Sequence, residues 1–163
     1  MNMLKTSLLA TALVAAGLSS ANAATDTADF GVQLVVVNSC TITAGEGTAD
    51  MDFGSVTGNI ATNIDASTGL TVNCNDGAEY SIALNDGANE DTAGQRRMTN
   101  GTQFVNYSLF SDNGYSVAWG DGIEVDGTGT NADQTVTVYG RVPAGQSVGA
   151  GTYNDTVTAT ITF

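Results

Sequence analysis

The chain holds few residues that could do covalent chemistry, and their types narrow what it can be. It has 163 residues and no histidine, so a Ser-His-Asp or Cys-His constellation cannot form. Two cysteines, Cys40 and Cys74, are the strongest nucleophiles present. Their spacing is wrong for a CxxC redox or metal pair, and no imidazole is available to complete a zinc site. Carboxylates are plentiful. Asp50 and Asp52 stand two apart and could share one face of a strand, but glycosidase-type chemistry needs two carboxyls across a cleft. Nothing in the sequence marks a cleft. Asp121, Glu124 and Asp126 lie in one glycine-rich loop and could offer oxygen ligands to calcium. No EF-hand spacing or nonapeptide repeat accompanies them, so they read as solvated loop acids. Trp119 and Tyr115 could make a sugar-stacking platform, yet a lone Trp beside a strand reads more simply as packing. The expectation is a chain that is not an enzyme and needs no cofactor.

Compartment explains the cysteines. Residues 1–23 read as a secretory signal, with Lys5 as the positive start, Leu8–Ala16 as the apolar stretch and Ala21-Asn22-Ala23 as the cleavage site. The apolar run is well short of the roughly 20 residues a spanning helix needs. Cleavage after Ala23 leaves residues 24–163, enough for one domain with a core of its own. In an oxidising compartment an even pair of cysteines is most simply a disulfide, Cys40–Cys74.

Charge limits the partners. The chain carries −13 in all. Beyond Lys5 its basic residues are Arg96, Arg97 and Arg141, against 17 acidic ones. Nucleic acid and anionic membranes are poor partners, because little is available to neutralise phosphates. Without lysine in the mature chain, covalent pili linked by lysine isopeptides are excluded. The acidity itself suits solubility and repulsion between non-partner surfaces.

The elements around these residues read as β. Short runs rich in Thr, Val, Ile and Tyr are broken by Gly, Asn and Asp, the pattern of an all-β sandwich. Strands are expected at 30–37, 40–43, 51–56, 68–74, 79–84, 104–110, 134–142 and 153–163. Asn75-Asp76-Gly77 predicts a tight hairpin between LTVNC and YSIAL. The polar stretch 120–133 predicts an exposed loop. Alternation assigns the core to Leu70 and Val72, to Tyr80, Ile82 and Leu84, to Val105, Tyr107 and Leu109, and to Val136 and Val138.

Each extremity carries an amphipathic strand. Phe30, Val32, Leu34 and Val36 share one face just before Cys40. Val157, Ala159, Ile161 and Phe163 alternate with threonines to the last residue. A chain built this way can pass one strand to a neighbour, as a surface polymer would require.

Several motifs, in order, carry a resemblance. They are Cys40-Thr41-Ile42, Phe53-Gly54, Leu70-Thr71-Val72-Asn73-Cys74, Tyr80-Ser81-Ile82-Ala83-Leu84, Arg97-Met98 and Tyr107-Ser108-Leu109. Trp119-Gly120, Val138-Tyr139-Gly140-Arg141, Gln146 and the closing Tyr153-Asn154-Asp155-Thr156-Val157 complete the set. On these the chain resembles the spore coat protein U domain, and within it the Csu-type pilins of archaic chaperone–usher systems. That resemblance implies an incomplete immunoglobulin-like sandwich, lacking its last strand and completed by a donor strand from a neighbouring subunit. It divides the chain into a signal peptide (1–23), a donor segment (24–38) and a sandwich domain (39–163). Phe30, Val32, Leu34 and Val36 would be the donor face. Val157, Ala159, Ile161 and Phe163 would form the acceptor groove that a periplasmic chaperone binds first. Related pilin subunits and an outer-membrane usher are the other implied partners. Export would run through the periplasm to the surface of a Gram-negative cell, where the fibre supports adhesion and biofilm formation. Two alternatives stand beside the shaft subunit: a tip adhesin, and a non-pilus spore or cell coat protein of the same family.

Overall fold

A computed structural model describes residues 24–44, 50–57, 59–120 and 122–163. The expected signal at 1–23 and the loop acid Asp121 lie outside the described residues. The chain divides into two units, one ending at Val35 and one running from Val36 to Phe163.

In the first unit the described residues form no strand. Phe30, Val32 and Leu34 are each 86% exposed. Val36 and Val37, at the start of the second unit, are also exposed. The expected strand at 30–37 is therefore corrected: the alternation is present, but no described residue pairs with it, and an unpartnered backbone makes no ladder.

The second unit is all β among the described residues. Its strands are β1 (Cys40–Ala44), β2 (Ile64–Cys74), β3 (Glu79–Leu84), β4 (Arg97–Thr99), β5 (Phe104–Asn106), β6 (Ser108–Phe110), β7 (Val125–Thr128), β8 (Gln134–Val142) and β9 (Ala159–Thr162). One sheet has the order β1-β2-β8-β6, a second the order β7-β3-β9, and β4 pairs with β5 alone. All pairings are antiparallel. The longest ladder joins β2 to β8, from Ile64↔Val142 to Val72↔Gln134.

Period-two alternation supplies the core between the sheets. Leu70 and Val72 of β2 and Val138 and Val142 of β8 are buried, as are Leu109 of β6 and Tyr80, Ile82 and Leu84 of β3. Val105 and Tyr107 join them, while Val136 is only partly buried. Trp119 is wholly buried and donates its indole N–H to the Ile82 carbonyl at 3.0 Å. It is core packing, as the simpler reading of a lone Trp holds.

Three local expectations change. Asn75-Asp76-Gly77 does not make a hairpin, because β2 and β3 belong to different sheets. The turn instead carries the chain across the sandwich. Gly77, at φ +75°, donates its N–H to the Gly129 carbonyl, and Gly129 donates back to Ala78. Residues 51–56 form no strand. Asp52 accepts the Gly54 N–H at 2.7 Å, and Gly54 takes φ +75°, which turns the chain. The 120–133 stretch holds β7, whose Val125 packs on the core while Glu124 and Asp126 stay exposed. Arg97–Thr99 is a strand not foreseen in the sequence.

Candidate functional site

The site begins at an edge. β9 pairs with β3 on one side only, Ser81↔Thr162 to Leu84↔Ala159. The chain before β9 continues along the same flank. Asn85 donates its N–H to the Thr158 carbonyl at 3.1 Å, and Ala88 donates to Thr156 at 3.0 Å. Asn154 and Thr99 exchange a pair of backbone bonds. Even-numbered residues from Asn154 to Thr158 thus spend their backbone groups on this flank. By the antiparallel alternation, the groups of Val157, Ala159 and Ile161 turn to the other flank. No described strand pairs there. An open edge of this length is a template for another strand.

A groove lies beside that edge, about 360 Å³ in volume. Its floor comes from both sheets and the link between β5 and β6: Leu70, Val138, Leu109, Leu84 and Tyr107. Tyr153, Asp155, Val157 and Ala159 form one wall, and Ala44, Met51 and Phe53 the other side. Met51 and Phe53 reach the interior because Gly140 faces them. A Cβ there would strike the Met51 sulfur and the Phe53 ring.

The expected groove residues separate. Val157 and Ala159 line the groove. Ile161 is partly buried against the core but is not part of the lining. Phe163, one position beyond the end of β9, is 54% exposed. The β3 ladder ends at Thr162, one residue short of it.

Polar side chains brace the strands and loops around the groove. Arg96 is only 7% exposed. Its guanidinium donates to the carbonyls of Asn85 (2.5 and 3.0 Å), Trp119 (2.9 Å) and Leu84 (3.3 Å), with the Asp86 carboxylate 3.5 Å away. Burial pulls its pKa down, and Asp86 opposes that. Tyr107 donates its hydroxyl to Asp155 at 2.6 Å. Burial first, then that bond to Asp155, pushes the phenol well above its ordinary value, so it stays protonated. Sequence reasoning missed Arg96, because a charged residue is seldom expected inside. Asp155 carried a signal in the closing Tyr-Asn-Asp-Thr motif.

The disulfide joins Cys40 to Cys74, opposite one another at one end of the β1–β2 ladder. Among the described residues no group of three or more metal-ligating side chains gathers. No helix among them is long and apolar enough to cross a membrane.

Two open antiparallel sheets, a terminal strand paired on one side only and an apolar groove beside it define an incomplete immunoglobulin-like sandwich. Comparison with known proteins agrees. Residues 26–160 match the Spore Coat Protein U domain, and the chain belongs to that family. It is 39% identical to "Protein U" of Myxococcus xanthus over the full length of both chains. Its fold is similar to a chain in the CsuC–CsuE chaperone–tip adhesion subunit pre-assembly complex of the archaic chaperone–usher Csu pili of Acinetobacter baumannii. There the TM-score is 0.55 and the identity 23%, over 78% of this chain and 40% of that one.

Proposed function

We propose that this chain is a structural, non-catalytic subunit of a surface pilus assembled by the chaperone–usher pathway through donor-strand exchange. The observation that carries the reading is the open β9 edge with its apolar groove, in a chain that also holds an exposed apolar segment at residues 30–36. Residues 1–23 are the export signal, 24–38 the donor segment and 39–163 the acceptor sandwich. Phe30, Val32, Leu34 and Val36 enter the groove of another subunit. Val157, Ala159, Ile161 and Phe163 belong to the C-terminal strand against which that donor, or first a periplasmic chaperone, pairs. The usher then exchanges one for the other, and the fibre serves adhesion and biofilm formation.

The energetics suit a lasting joint. Seven residues span about 23 Å as a strand. Burying four apolar side chains offers a gross ~6–12 kcal/mol before ordering costs. The backbone ladder adds to that.

A second reading has its own support. The family's description, Spore Coat Protein U domain, is what speaks for a non-pilus spore or cell coat protein; the name of the relative "Protein U" adds only weakly to it. Leu34→Asp separates the two. It would put a charge in a dry groove at a cost of several kcal/mol. In cells expressing the chain with its chaperone and usher, the variant should keep chaperone co-purification and lose the ladder of heat-sensitive multimers. Wild-type multimers from Leu34→Asp would refute donor-strand exchange and leave the coat reading.

A further inference from the structure

The groove wall is not built by β9 alone. Tyr153, Asp155 and Val157 form most of it, yet they lie outside any named strand. What fastens them most densely is one side chain. Asp155 accepts the Tyr107 hydroxyl at 2.6 Å on one oxygen. Its other oxygen accepts the backbone N–H of Ala88 (3.0 Å), the backbone N–H of Asn89 (3.1 Å) and the Asn89 side-chain amide (2.9 Å). One carboxylate thereby joins the groove floor, the loop after β3 and the wall.

Both partners of Asp155 are themselves held. Tyr107 is buried, donates its N–H to the Arg96 carbonyl at 3.0 Å and accepts the Gln95 side-chain amide at 2.8 Å. The loop is held by Arg97, whose guanidinium donates to the carbonyls of Asn89 (3.1 Å) and Glu90 (2.9 Å). Gly87 leaves room for the carboxylate, since a Cβ there would collide with it. A charged acceptor with four donors gives stronger bonds than a neutral one would.

We infer that Tyr107 and Asp155 are positioning residues, a latch that holds the 153–158 wall at the spacing a donor strand requires and so sets the residence time of that strand. This rests on the donor-strand reading above. A wall released from the latch keeps its Thr99 and Asn85 contacts but can drift from the floor. An inserted side chain then loses contacts on one side.

The test uses the full chain carrying Leu34→Asp, so that its own donor segment does not compete, with and without Tyr107→Phe or Asp155→Asn. The probe is a fluorescent peptide of residues 28–38. Two quantities are read: peptide dissociation, and amide hydrogen exchange along the chain. Loss of a charge-assisted bond predicts dissociation faster by about tenfold or more in either variant. Exchange at residues 154–160 should accelerate by a similar factor, while the β2 and β8 amides stay protected. The double variant should be little worse than Asp155→Asn alone, because the charge-assisted bond to Tyr107 is already lost there. Unchanged exchange at 154–160 overturns the latch whatever the peptide does. Faster exchange with unchanged dissociation also overturns it, as the wall then does not govern the donor. If the parent chain takes up no peptide at all, the donor-strand reading falls and takes the functional claim with it.

Discussion

Removing the Cys40–Cys74 disulfide should cost this protein a large part of its stability. The two cysteines are 34 positions apart in sequence. Closing a loop of that length removes chain entropy worth about 4 kcal/mol from the unfolded state. Cys74 is wholly buried, so a Cys40→Ala, Cys74→Ala chain also loses packing, adding roughly 1 kcal/mol. Against a typical domain stability of about 5–15 kcal/mol, the variant should be folded at 25 °C but marginal. β1 should suffer most, since among the described residues β2 is its only ladder partner, whereas β2 keeps β8 on its other side. Urea unfolding of wild type, with and without reductant, and of the alanine pair would measure the effect. The expected result is a midpoint shift equivalent to about 4 kcal/mol on reduction and about 5 kcal/mol for the alanine pair, with exchange at Cys40–Ala44 faster even in native buffer. A shift under about 1 kcal/mol would refute the reasoning, and would mean that the unfolded chain already holds these ends together.

Arg96→Met should destabilise the fold by about 3 kcal/mol or more, because the carbonyls of Leu84, Asn85 and Trp119 lose their donor in a buried place; thermal unfolding checks it. Acid should weaken the fold only at low pH. Backbone bonds from Val117 and a side-chain bond from Ser116 hold Asp112 below its ordinary pKa, backbone bonds from Gln95 and Ala93 do so for Asp91, and Arg141 does so for Asp65. A depressed carboxylate contributes stability that is present above its unfolded pKa and lost as pH falls through the folded one. The urea midpoint should therefore owe its fall below about pH 4 partly to these groups, and Asp112→Asn should make that fall shallower.

Much of the sandwich was legible because its inner strands obey alternation. Leu70 and Val72, or Tyr80, Ile82 and Leu84, can face inward only if the chain is extended. The same rule misled at residues 30–37, where the pattern is right but a partner is a tertiary matter. It misled again at 51–56, where Asp52 and Gly54 turn the chain and Phe53 still packs inside. β7 was hidden because Asp126 and Gly127 disguise a strand whose single core residue is Val125. Periodicity drew attention to Val157 and Ala159, which line the groove, but it cannot tell where a ladder stops, here at Thr162. The bond from Tyr107 to Asp155 crosses 48 positions, and no local pattern announces it.

The disulfide also has a mechanical meaning. In a fibre assembled as proposed, tension reaches each domain through the residues just before Cys40. Without a covalent link there, a pull would peel β1 from β2 one hydrogen bond at a time, the weakest way to load a ladder. The sulfur bridge sits at the very first pair of that ladder. It hands the force directly to the end of β2, a strand paired along nine positions with β8. Force entering at Cys40 is thereby carried through covalent bonds into β2 before any β1–β2 hydrogen bond has to break.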